Sequence, residues 1–315
     1  MKITYQEIDA ALLAQIAAKY GQVAKEDLQG VSPAVVRQLR LIQAKSGVYV
    51  YRCMYDGAPA VVKYFENEGD RREILNYRLL AQHDIPTMKP LAMGTATLVL
   101  EDINASEHWR LGVAEDLHDT AVAKGLARWY FALHESSAAV SSTLFFEFDC
   151  ITEENLNLLS RKLPEGAELF RFMLEQYGKF RELIYNPEFT LTYNDFYWTN
   201  FVVRKDKTAA MMFDYNLLGR GYRFSDFRNV FYSLSDEAGA VFRDEYNRLY
   251  TEKHGRARAE AEILEGRIDD VAGPLYALIV AFTERDSFPA WAEHEKNEAV
   301  NGNLLAKAKL LLSQS

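Results

Sequence analysis

Leu191-Thr192-Tyr193-Asn194-Asp195-Phe196-Tyr197-Trp198-Thr199-Asn200-Phe201-Val202-Val203 is the stretch that decides how the rest of the chain is read. A run with strand character, Phe189–Tyr193, delivers Asp195, and Asn200 follows five positions later, just ahead of a second run, Phe201–Arg204. A third run, Ala209–Phe213, ends on Asp214 after a hairpin turn at Lys205–Thr208. One strand, loop, strand, turn, strand unit therefore presents two carboxylates and an amide.

Upstream, Val48–Met54 and Ala60–Phe65 are β-rich runs separated by Tyr55-Asp56-Gly57-Ala58-Pro59, and Asp-Gly between such runs signals a hairpin. Lys63 thus lies within a strand. Ile74, Leu75, Leu79 and Leu80 give Asp70–His83 a helical pattern that Ile85-Pro86 ends, and Pro90–Ala92 and Thr97–Leu100 read as two more strands. These strands and the helix predict a small mixed sheet. Ahead of it, residues 4–45 read as helical, with Ile8, Leu12, Ile16 and Ala17 at helix spacing and a second segment around Ala34–Ile42 after Ser32-Pro33.

Beyond Asp102 the pattern turns helical: one long amphipathic helix over Glu115–Ser136, then Glu153–Leu163 and Glu165–Leu183. Helices return over residues 225–313, with Gly273-Pro274 as a break. The expected class is α+β in two lobes: residues 1–102 as a small β-rich lobe, and 103–315 as a larger, mostly helical lobe carrying the Asp195 loop.

Composition limits the function classes. The 315 residues are 49% hydrophobic and 26% charged, as in ordinary globular proteins. A net charge of −9 lacks the basic excess of a nucleic-acid surface and favours cationic small molecules as partners. Two cysteines, Cys53 and Cys150, exclude a disulfide framework and a cysteine-rich zinc site. The Met1–Glu7 start has no apolar run, and the longest one, near Leu275–Phe282, is too short to span a bilayer. A cytoplasmic protein with no membrane segment is expected.

One Asp to orient a nucleophile, with an Asn and a second Asp to hold a metal, is what phosphoryl transfer from ATP requires. In this order the residues resemble the aminoglycoside phosphotransferase and choline kinase superfamily, the small-molecule relatives of protein kinases. The resemblance covers about residues 40–235. It rests on Tyr193-Asn194-Asp195, Asn200 and Asp214, where those families carry His-Gly-Asp or His-Asn-Asp, a following Asn, and an Asp at a strand end. Tyr193 replaces the usual His, and Tyr215-Asn216 follows Asp214 where many relatives have Phe-Gly.

The resemblance implies a bilobal protein-kinase-like fold, with ATP and Mg²⁺ as cofactors and a small-molecule hydroxyl as acceptor. Asp195 is the implied catalytic residue, and Asn200 and Asp214 the implied metal ligands. Lys63, ending Ala-Val-Val-Lys, is similar to the kinase lysine that pairs with the α- and β-phosphates. Glu73 is the chosen partner for it, with Glu66 and Glu68 as rivals. Ser46 and Gly47 offer backbone N–H groups to phosphate, or else form a simple turn. The main chain of Glu101 and Ile103 matches the segment that reads the adenine edge in relatives. His134 reads as a core residue beneath the Asp195 loop. Asp226 reads as a cap on that loop or as the N-cap of the next helix. Phe196-Tyr197-Trp198 either wall an acceptor pocket or pack inward. Two other classes stay open: a pseudokinase that binds nucleotide without turnover, suggested by Tyr193 and the Gly-poor loop, and a helical interaction protein with no nucleotide site.

Overall fold

The computed structural model describes residues 10–30, 36–136, 140–255, 259–285 and 287–313. In chain order its elements begin with α1 (Ala10–Gln29), β1 (Val36–Lys45), β2 (Val48–Tyr55), β3 (Ala58–Phe65), α2 (Arg72–Gln82), β4 (Pro90–Met93) and β5 (Thr97–Glu101). Next come β6 (Trp109–Leu111), α3 (Thr120–His134), α4 (Glu153–Lys162), α5 (Ala167–Glu175), α6 (Tyr177–Ile184) and β7 (Thr190–Thr192). The remainder is β8 (Phe201–Arg204), β9 (Ala210–Met212), β10 (Gly219–Gly221), α7 (Arg223–Ser233), α8 (Asp236–His254), α9 (Ala259–Thr283), α10 (Glu293–Val300) and α11 (Asn303–Ser313). The result is an α+β protein, β-rich in its N-terminal part and mostly helical after it.

The chain folds into two compact units, neither continuous in sequence. The first takes Met1–Ala132, Asp195–Leu218 and Leu234–Glu245; the second takes Leu133–Asn194, Gly219–Ser233 and Tyr246–Ser315.

In the first unit, a five-stranded sheet has the order β1-β2-β3-β5-β4, and every pair in it is antiparallel. The expected mixed sheet is therefore corrected. Two-residue turns make β1-β2-β3 a meander: Ser46-Gly47 and Asp56-Gly57 both take positive φ, 51° then 85°, the twist that tight hairpins need. Alternation along β2 and β3 buries Tyr51, Cys53, Tyr55, Ala60, Val62 and Tyr64 on one face, where α1 covers them with Ala24 and Leu28. The opposite face carries Val48, Val50, Lys63 and Phe65, paired as Val50↔Lys63 and Val48↔Phe65. A second sheet, β6-β8-β9, lies in the same unit and supports α3, whose Gly125 comes so near β9 that a Cβ there would meet the Ala210 nitrogen at 2.7 Å.

Several element readings are corrected here. The helix expected around Ala34–Ile42 is strand β1 over its described part; residues 4–9 and 31–35 lie outside the described residues. Register shifts between Arg37 and Arg40 and between Leu41 and Gln43 insert extra residues, so Val36, Leu39 and Ile42 fall at a spacing of three, as in a helix. The Glu115–Ser136 helix starts only at Thr120, because Asp119 accepts hydrogen bonds from the Ala121 and Val122 N–H groups and caps it. Glu165–Leu183 is two helices, divided at Gln176.

The second unit has one helical core. Phe148, Phe170, Phe180, Tyr222, Leu275 and Leu304 are among its fully buried members, and side chains of this size each stabilise by about 1.5–3 kcal/mol when removed from water. The break read at Gly273-Pro274 is absent. Helix α9 runs through Pro274, forgoing one backbone hydrogen bond, because Val271, Ala272, Leu275, Leu278 and Ile279 on both sides of it are buried.

Candidate functional site

Lys63 leaves the sheet on the face opposite α1. Its Nζ donates to both Glu73 carboxylate oxygens, at 2.8 and 2.6 Å, and to Asp214 Oδ1 at 2.9 Å. Glu73 reaches it because α2 buries a stripe of Glu73, Asn76, Tyr77 and Leu80, residues three and four apart that share one side of a helix. The same stripe holds the segment after Asp214: Asn76 Nδ2 donates to the Tyr215 carbonyl at 2.7 Å, and the Tyr77 and Tyr215 rings meet edge to face at 4.8 Å. Of the rival carboxylates, Glu66 instead accepts the hydroxyls of Tyr20 and Tyr49.

Burial opposes the charge on Lys63, but Glu73 and then Asp214 outweigh it and hold the ammonium well above its ordinary range. Burial likewise pushes Glu73 up, to about 7, against the pull of Lys63. Two hydrogen bonds donated to Glu73 by one ammonium are the geometry of a carboxylate, so the pair is ionic.

Asp195 and Asn200 form the second half. Asn200 Nδ2 donates to Asp195 Oδ2 at 2.9 Å and to its carbonyl at 3.2 Å, closing the loop between them. Burial, then the charge of Asp214, raises the Asp195 carboxyl to about 6, against the opposing effects of the Asn200 hydrogen bond and the Lys45 charge. Across the β8-β9 pair, the Phe213 N–H donates to the Asn200 carbonyl at 2.8 Å, which sets Asn200 one residue out of register with Asp214. Asp214 itself is left-handed, φ 64° and ψ 65°, a conformation that Asp tolerates better than most residues.

In the second unit the residues leading into Asp195 are gripped by Asp226. Its carboxylate accepts the Tyr193 N–H at 2.8 Å and the Asn194 N–H at 2.9 Å, holding Asn194 at φ 66°. Asp226 lies inside α7, so the loop-cap reading holds and the N-cap reading falls. Burial raises its carboxyl to about 7, against the two backbone donors. His134 is fully buried between Asp226, 3.1 Å from Nε2, and Tyr246, 2.9 Å from Nδ1, and Tyr193 is fully buried as well.

A cavity of about 250 Å³ is lined by Lys63, Glu73 and Asp214 together with Ser46, Lys45 and Asn216, among others. Ser46 thus joins the cluster, while Gly47, Glu101 and Ile103 are not on its wall. Glu101 ends β5 opposite Ala60, and Ile103 is buried in a 3₁₀ turn. The aromatic triplet divides: Phe196 packs between Tyr130 and Phe201, whereas Tyr197 is exposed, its ring 5.9 Å from that of Trp198. Neither Lys45 nor Asn216 is singled out as a site residue by the sequence. Lys45, within the residues expected to be helical, ends strand β1, and Asn216 lies two positions after Asp214 with its buried Oδ1 unpartnered.

Among the described residues there is no cluster of three or more His, Cys, Asp or Glu able to cage a metal. An Asn and an Asp on adjoining strand ends nonetheless suit Mg²⁺, which takes few protein oxygens and keeps waters and phosphates.

A model of the phosphotransferase enzyme family matches residues 38–262. The chain belongs to this family. No curated protein sequence matches it. Solved structures similar to this phosphotransferase family member include choline kinase LicA from Streptococcus pneumoniae, 14% identical, covering 94% of this chain and 100% of that one with a TM-score of 0.60. LicA is also among them in complex with AMP. Macrolide 2'-phosphotransferase MphH from Brachybacterium faecium is 15% identical, covering 90% and 98%, with a TM-score of 0.56. An ethanolamine kinase from Plasmodium vivax is 12% identical, covering 97% and 93%, with a TM-score of 0.56. At these identities the likeness establishes the protein-kinase-like phosphotransferase fold. No helix among the described residues is long and apolar enough to cross a membrane.

Proposed function

We propose that this family member is an ATP- and Mg²⁺-dependent phosphotransferase acting on a hydroxyl of a small molecule: an amino alcohol, an aminoglycoside or another sugar. The observation that carries the reading is the Lys63–Glu73–Asp214 cluster, assembled across 151 positions of sequence on the wall of one cavity, with Asp195 and Asn200 held together by their own hydrogen bond.

Each residue has a distinct task. Lys63, kept charged and extended by Glu73, neutralises phosphate oxygens. Asp195 accepts or orients the proton of the acceptor hydroxyl; in a loose phosphoryl-transfer transition state its placement matters more than its basicity. Asn200 and Asp214 would hold Mg²⁺, which would supply positive charge to offset that of the phosphates. Asp226 fixes the backbone of Tyr193 and Asn194 ahead of Asp195. The Glu101–Ile103 main chain reads the adenine edge. Tyr197 and Trp198 offer ring faces to a cationic acceptor, an attraction of roughly 0.5–2 kcal/mol.

The test couples ADP release to an acceptor screen that begins with amino alcohols and aminoglycosides. Mg-dependent thermal stabilisation by ATP, with turnover abolished in both Asp195→Ala and Asp214→Ala, supports the reading. ATP binding without turnover across the screen points instead to a pseudokinase, and no ATP effect at all removes the nucleotide site.

A further inference from the structure

The hairpin above the cavity raises an electrostatic problem. On the described cavity wall Lys63 faces three carboxylates, Asp70, Glu73 and Asp214, and it is already hydrogen bonded to two of them. Asp195 adds a fourth carboxylate whose charge interacts with that of Asp214. Even with Mg²⁺ held by Asn200 and Asp214, a triphosphate here would meet more carboxylate charge than the doubly paired Lys63 offsets. Main-chain donors are few, because the β1-β2 turn is only two residues long, Ser46 and Gly47. The Ser46 carbonyl accepts Asn67 Nδ2 at 3.1 Å, and the Gly47 carbonyl accepts the Glu66 N–H at 2.9 Å. A turn so short does not wrap phosphate as a Gly-rich loop does.

The only other cation on that wall among the described residues is Lys45. Cross-strand register places it on the same sheet face as Lys63. Lys45 pairs with Val48 and Val48 with Phe65, while Gln43 pairs with Val50 and Val50 with Lys63. The two lysines therefore stand on adjacent rows and two strands apart, with their backbones about 12 Å from each other. Lys45 forms no ion pair or hydrogen bond among the described residues, in contrast to the doubly paired Lys63. Its charge also acts on Asp195, favouring the ionised carboxylate.

We propose that Lys45 is a second phosphate-binding cation of this chain, one that contacts the terminal phosphate of a nucleoside triphosphate while Lys63 serves the inner phosphates. The assignment rests on the nucleotide site proposed above and adds a division of labour between two side chains. Lys45 replaces, with one mobile ammonium, the main-chain donors that a longer loop would supply.

The test is phosphate counting. Wild type, Lys45→Met and Lys45→Arg are titrated with ATP, ADP and AMP at fixed Mg²⁺ and ionic strength. A charge-assisted contact to the terminal phosphate predicts that Lys45→Met loses about 10- to 100-fold in ATP affinity, with little change for ADP and none for AMP, and that Lys45→Arg recovers most of the loss. Melting temperature should stay at the wild-type value, since the side chain is exposed and unpaired. Equal losses for all three nucleotides, or none, would overturn the role given to Lys45 and leave the nucleotide site standing. A wild-type protein that binds none of the three would overturn both.

Discussion

Asp195→Asn is expected to abolish turnover and, above neutral pH, to make the protein more stable. The Asp195 carboxyl rises from 3.8 to about 6 in the fold, because it is largely buried and lies within the field of Asp214. A carboxyl with a raised folded pKa is protonated in both states below about pH 3.8, so it contributes nothing there. As pH climbs from there towards 6 the unfolded chain ionises first, stability falls, and above 6 the whole penalty is present. Two pKa units at about 1.36 kcal/mol each set a ceiling near 3 kcal/mol, and solvent access to this half-buried loop lowers the expected gain to about 1–2 kcal/mol. Asparagine preserves the shape and can still accept from Asn200 Nδ2 through its own Oδ1. Urea unfolding of wild type and variant at pH 8 and pH 5 measures the effect: the difference near pH 5 should be about half that at pH 8. A variant less stable than wild type at pH 8, or a difference that ignores pH, would refute the argument.

Lys63→Ala leaves Glu73 buried without its ion-pair partner and should destabilise by about 3–5 kcal/mol; adding Glu73→Gln should restore most of that stability, but not turnover. Full stability in the single variant would mean that the pair does not hold α2 to the sheet. Gly125→Ala would set a methyl group against the backbone of Ala209 and Ala210, for an expected loss of about 1–3 kcal/mol in chemical denaturation with unchanged substrate KM. Wild-type stability in this variant would place α3 farther from β9 than the structure does.

The β2-β3 hairpin was legible in the sequence because Asp56-Gly57 can take the two positive φ values that a tight turn demands, and its neighbours are β-formers. Strands β8 and β9 were legible for a similar reason, since Lys205–Thr208 separates two short apolar runs. Strand β1 was hidden because its irregular register shifts its apolar residues out of alternation. Pro274 misled because a buried helix tolerates a lost hydrogen bond that an exposed helix would not. At the site, residue type and order brought out Asp195, Asn200 and Asp214. Glu73 was chosen over Glu66 for its place at the start of the helix after the Lys63 strand, and the structure pairs it with Lys63; why Glu66 stays away depends on Tyr20, carried by α1, and Tyr49, which occupy it from elsewhere in the chain. Lys45 was obscured because its place on the cavity wall comes from cross-strand register rather than from any motif.

Asp214 lies 151 positions after Lys63, and the whole of the second unit's first segment is made between them. At about 5–20 residues per second, a ribosome that has released Lys63 and Glu73 needs another 8–30 seconds to release the carboxylate that completes the cluster. Through that interval Glu73 is the only one of the two acids available to Lys63. The cluster is therefore completed late in synthesis, when the segment after β9 supplies its last acid.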